Sequence, residues 1–141
     1  MATSPRTRTL GSTTTLQPII ITVNPTTNLC TFAGDSKYIT TTGHIVLANL
    51  SGSTVHFTMN IKPNGYSFVQ ANPIVIVDDF ADKLPNYYPD LPRNFSKPIL
   101  TQNNTQLDFD DYMRGNQLFY YTLYLTGPTG PFFVDPIMVN N

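Results

Sequence analysis

Val55-His56-Phe57-Thr58-Met59-Asn60-Ile61 alternates strictly between apolar and polar side chains. In an extended chain successive side chains point to opposite faces, so Val55, Phe57, Met59 and Ile61 share one face and His56, Thr58 and Asn60 the other. A helical period would scatter both sets around its axis. The stretch therefore reads as a half-buried strand with one polar or solvated face.

Outward from it, the chain breaks into short β-branched or aromatic runs: Ile19 to Val23, Thr31 to Phe32, Tyr38 to Thr41, Ile45 to Leu50, Tyr66 to Val69, Ile74 to Val77, Gln106 to Phe109, Leu118 to Thr126 and Phe132 to Val139. Asn24-Pro25, Ser51-Gly52, Pro63-Asn64-Gly65 and Gly127-Pro128-Thr129-Gly130 punctuate them, each supplying a preset φ or tolerance of φ > 0. The last two runs flank a short Gly/Pro loop and form a hairpin that places Asp135 near Tyr120 to Thr122. Composition agrees with this reading. All nine acidic residues are Asp, with no Glu, while Thr, Asn and Pro abound, a balance that favours strands and turns over helices. The expectation is an all-β, antiparallel β-sandwich, immunoglobulin-like or jelly-roll-like.

The chain of 141 residues makes one domain, which buries roughly two-thirds of its unfolded surface. Residues 1–16 are polar, Thr-rich and aperiodic, as expected of a disordered N-terminal arm, and the sandwich domain is assigned to residues 17–141. From Asp78 to Lys97 the chain carries four Asp, several aromatics and three internal prolines, which reads as an Ω-like loop.

Formal charge is −1 and only 12% of residues are charged, with the basic ones scattered, so no nucleic-acid surface is expected. No apolar stretch approaches the ~20 residues of a membrane span, and no leader is evident. Cytoplasmic residence is the default and leaderless export the alternative. Cys30, the only cysteine, excludes an intrachain disulfide and reads as core filler. Low charge and strand-rich composition leave sheet edges to be covered, so a homo-oligomer is expected, with no external ligand identified.

Among candidate sites, His44 and His56 read as hydrogen-bonded sheet histidines. No Gly-x-Ser-x-Gly elbow or calcium-loop spacing occurs, and neither metal nor cofactor is expected. Tyr66, Tyr87-Tyr88 and Phe95 read either as an exposed aromatic surface or as loop-packing anchors. In Asp108-Phe109-Asp110-Asp111, Asp108 and Asp110 share a strand face, where two carboxylates can raise one another's proton affinity for acid/base work; a solvated strand end is the alternative.

Asp135-Pro136 breaks strand rules twice, with a carboxylate and a residue lacking a ladder donor inside an apolar run. The Asp135 carboxylate can reach its own carbonyl through a five-membered ring and expel the Pro136 nitrogen, orientation supplying ~7 to 11 kcal/mol of the barrier. The simpler reading is an edge strand or bulge with Asp135 pointing to solvent.

Leu118-Phe119-Tyr120-Tyr121-Thr122-Leu123, Gly130, Phe133-Val134-Asp135-Pro136-Ile137 and the Asn140 ending resemble the DP-EP family, small bacterial β-sandwich proteins that include a self-cleaving, self-assembling endopeptidase. The resemblance implies a single-turnover break between Asp135 and Pro136, leaving residues 136–141 as a non-covalent strand, with Asp110 or Asp108 as the water-activating base. One departure is plain. The family's cleaving member is associated with a lysine that becomes linked to the scissile Asp, and no lysine follows Lys97 here; that crosslink is not expected. The alternative is a non-enzymatic binding or self-assembly module with an intact chain, similar to bacterial inclusion-body proteins.

Overall fold

The computed structural model describes residues 12–47, 50, 52–78, 95–113 and 117–140. In chain order the strands are β1 (Thr13–Thr15), β2 (Ile19–Val23), β3 (Cys30–Ala33), β4 (Ile45–Leu47), β5 (Thr54–Lys62), β6 (Ser67–Phe68), β7 (Ile74–Asp78), β8 (Ile99–Thr101), β9 (Gln106–Asp111), β10 (Gln117–Gly127), β11 (Gly130–Val134) and β12 (Ile137–Asn140). They form the two packed sheets expected of an all-β sandwich.

The first sheet, A, has the order β3-β2-β5-β9-β8, with β1 also on β5. Its centre is β5, the strand with the strict alternation. Val55, Phe57 and Met59 are buried, whereas His56, Thr58 and Asn60 lie on the outer side. Antiparallel β9 matches it residue for residue, pairing Phe57 with Phe109 and His56 with Asp110. Both β1 and β2 run parallel to β5.

The second sheet, B, is organised around β10. One side of that strand carries β7 and β6, and the other carries β11 followed by β12, which in turn pairs in parallel with β4. Tyr121, Leu123 and Leu125 are fully buried, and the intervening residues face outward.

Aromatic rings join the two sheets. Phe57 stacks on Phe109 at 4.9 Å, and Phe95 lies edge-on to Phe119 of sheet B at 5.1 Å while also touching Phe109 at 6.3 Å. Each ring fully removed from water contributes about 1.5–3 kcal/mol, so this cluster is a principal tie between the layers. At one margin, the Tyr121 hydroxyl crosses the interior to donate to the Gly43 carbonyl.

Several details differ from the sequence reading. The domain begins before Gln17: Thr13–Thr15 pair with Thr54–His56, and Leu16 is buried. Cross-strand hydrogen bonds order this Thr-rich segment without an apolar period. Residues 1–11 lie outside the described residues. The assigned loop from Asp78 to Lys97 includes the end of β7 at Asp78 and an isolated bridge from Phe95 to Asp111; residues 79–94, with Tyr87 and Tyr88, lie outside the described residues. Phe95 and Tyr66 are buried rather than part of an exposed aromatic surface. Phe95 fills the gap between sheets, and Tyr66 packs against Phe132 and over Gly127.

Candidate functional site

Asp135 and Pro136 lie between β11 and β12 in an otherwise constant register. Leu123 pairs with Val134 before them and Tyr120 with Ile137 after them. Antiparallel pairs exchange two bonds where they are hydrogen-bonded. Here one survives: the Tyr121 N–H donates to the Pro136 carbonyl at 3.1 Å, while the proline has no N–H to return. Parallel pairing of β12 with β4 starts only at Met138, so Pro136 sits where its ring interrupts no second ladder.

The alternation of β10 sends Thr122 outward, and Asp135 follows. Its side chain is exposed, and Oδ1 accepts the Thr122 hydroxyl at 2.6 Å. Pro136, the next residue, is buried. The carboxylate thus belongs to the outer face of sheet B, beside Tyr120, Tyr124 and Phe133. Tyr124 and Phe133 are in register and in ring contact at 6.3 Å.

Asp108 and Asp110 occupy the opposite side of the molecule. With Leu107, Phe109 and Asp111 turned into the core, β9 sends Asp108 and Asp110 to the outer face of sheet A. They meet His56 there. Its Nδ1 lies 2.7 Å from Asp110 Oδ1, and its Nε2 lies 3.3 Å from Asp108 Oδ1. The Thr58 hydroxyl donates to Asp108 Oδ1 at 2.6 Å, Gln106 Nε2 donates to Asp108 Oδ2 at 2.9 Å, and the Asp110 N–H donates to Ser96 Oγ at 2.8 Å. A protonated His56 ring can donate to both carboxylates; a neutral ring can donate to one. Neither ring nitrogen is hydrogen-bonded to a hydroxyl or thiol among the described contacts, so the Ser- or Cys-His geometry of nucleophilic catalysis is not formed here.

This arrangement corrects the role assigned to Asp108 and Asp110. The sandwich core stands between them and the Asp135-Pro136 bond, so neither can position water on it. It also exposes a pairing that the sequence reading missed, because His56 and Asp110 meet only through the β5–β9 register. The signal in the sequence was limited to parity: His56 and Asp110 each alternate with buried neighbours.

Asp111, the last member of the acidic run, is 0% exposed, and its Oδ1 accepts the Met113 N–H at 2.8 Å. His44 is exposed on the turn after Thr40, whose hydroxyl accepts the His44 N–H. Cys30 is half-buried against the core, and burial pushes its thiol above the ordinary range. Among the described residues, no three His, Cys, Asp or Glu side chains are placed to hold a metal ion, and no helix is long and apolar enough to cross a membrane. Comparison of the chain with known protein families and with curated proteins found no match.

Proposed function

We propose that this chain is a self-assembling β-sandwich protein that breaks its own backbone once, between Asp135 and Pro136. The observation that carries the reading is the position of this bond within one register of sheet B, with ladder pairs on both flanks. A cut would leave β12 seated between β10 and β4, so the fold could tolerate its own cleavage. The Thr122 hydroxyl donates to one carboxylate oxygen of Asp135, which limits the rotation of the attacking side chain.

In the proposed step, the carboxylate oxygen attacks the Asp135 carbonyl carbon, closing a five-membered anhydride as the C–N bond to Pro136 breaks. The nitrogen of the buried proline takes a proton from water that enters from the exposed Asp135 side of the bond. A second water opens the anhydride, leaving a new α-carboxylate on Asp135 and a secondary amine on Pro136. No external substrate is turned over.

The exposure of Asp135 favours a second reading, because a carboxylate hydrogen-bonded to a surface threonine also suits an intact binding or assembly module. Intact-mass measurement under denaturing conditions separates the two. Fresh and aged preparations should show progressive loss of residues 136–141, abolished by Asp135→Ala and altered in rate by Thr122→Val. One unbroken 15.7 kDa chain after prolonged incubation would overturn cleavage and leave the intact module.

A further inference from the structure

The outer face of sheet B combines aromatic rings with a carboxylate in an order set by the strand. Tyr120 is 45% exposed and Phe133 is 60% exposed. Between their levels lies Thr122, holding Asp135. Alternate residues of a strand stand about 7 Å apart, so the carboxylate has Tyr120 on one side and the Tyr124–Phe133 pair on the other. Rings attract a cation through their faces over about 6 Å. A planar guanidinium suits this setting best, since it can pair with the carboxylate and stack on the rings together. No lysine or arginine forms an ion pair with Asp135 among the described contacts.

The chain itself carries a complementary segment. Residues 1–11 include Arg6 and Arg8 and no acidic residue. This segment enters the described fold on sheet A, where the Ser12 carbonyl accepts the Thr54 N–H. From Ser12, the four residues back to Arg8 span at most about 13 Å and the six back to Arg6 about 20 Å, before their side chains. To reach the outer face of its own sheet B the segment would have to pass round an edge of the sandwich, whose sheets alone are stacked about 10 Å apart. A second copy facing this surface meets no such restriction.

We infer that the outer face of sheet B, centred on Asp135, Tyr120 and Phe133, is a docking surface for the arginine-bearing N-terminal segment of another copy of the chain. The contact uses only the side-chain carboxylate of Asp135, so it stands whether or not the following peptide bond breaks.

Sedimentation velocity of the full chain over a concentration series tests the proposal. Self-association should weaken about tenfold, the equivalent of a single paired guanidinium, in Arg6→Ala/Arg8→Ala, in Asp135→Asn and in Phe133→Ala, and in the parent at high salt. Exchanging the charges, Asp135→Arg with Arg6→Asp/Arg8→Asp, should restore it. Circular dichroism checks that each variant is folded; the arginine variant leaves every described residue unchanged. A parent chain that stays monomeric throughout, or an association indifferent to loss of both arginines, overturns the docking surface. Because Phe133→Ala retains Asp135 and Pro136, its denatured mass reports on cleavage separately.

Discussion

His56 and Asp110 face each other across β5 and β9, with Nδ1 of the ring 2.7 Å from Oδ1 of the carboxylate. The pair is tied into a wider polar network through Asp108, Thr58, Gln106 and Ser96. Both side chains remain about one-third exposed, so water screens much of their attraction. A double-mutant cycle with His56→Ala and Asp110→Ala, read by denaturant unfolding at neutral pH, should give a coupling of about 0.5–1 kcal/mol. A coupling indistinguishable from zero would mean that the geometry orients the strands without stabilising them.

Gly43 offers a sharper test of the interior. Its φ is +90°, and an added Cβ would lie 2.8 Å from the Phe32 ring. Gly52 has nearly the same φ, +88°, with nothing within 4 Å of the corresponding position. Gly52→Ala should therefore cost only the left-handed strain, about 1–2 kcal/mol, whereas Gly43→Ala adds a steric clash and should cost about 2–4 kcal/mol. Equal losses would show that the Phe32 ring yields freely.

Tyr121 predicts a response to alkali. Complete burial pushes its phenol well above the ordinary value near 10, so the unfolded chain releases this proton first as pH rises. Its contribution is fully present below about pH 10 and declines above it, by up to about 1.4 kcal/mol per pH unit. Tyr121→Phe also loses the hydrogen bond to the Gly43 carbonyl and should be about 1–3 kcal/mol less stable at neutral pH. Denaturant unfolding from pH 8 to 11 should show the parent approaching the variant at the alkaline end. A constant gap across that range would refute the assignment.

The alternation of β5 and the runs of β10 and β11 were legible because a strand's two faces are set locally, by the pleat of each segment. Their partners were not. The contact of His56 with Asp110 depends on a register between segments more than fifty residues apart, about which neither local pattern speaks. The parity that turned Leu107 and Phe109 inward carried Asp111 with them, yet a carboxylate on that face reads as solvent-facing until its Met113 partner is seen. Three-residue strands such as β1 and β8 are too short to establish a period. Phe95 sat within Pro- and Asp-rich sequence that concealed its role between the sheets. At Asp135-Pro136, the expected proximity to Thr122 is present, while the expected help from Asp108 and Asp110 fails because β9 turns them toward the far side.

The parallel pairing of β12 with β4 bears on biogenesis. Among the described residues, and apart from the bridge between Ile39 and Ile45, β4 finds its ladder only on β12, far away in sequence. During synthesis Ile45 and Leu47 must wait beside an unfilled slot until Met138 to Asn140 have emerged from the ribosome, so this part of sheet B closes late.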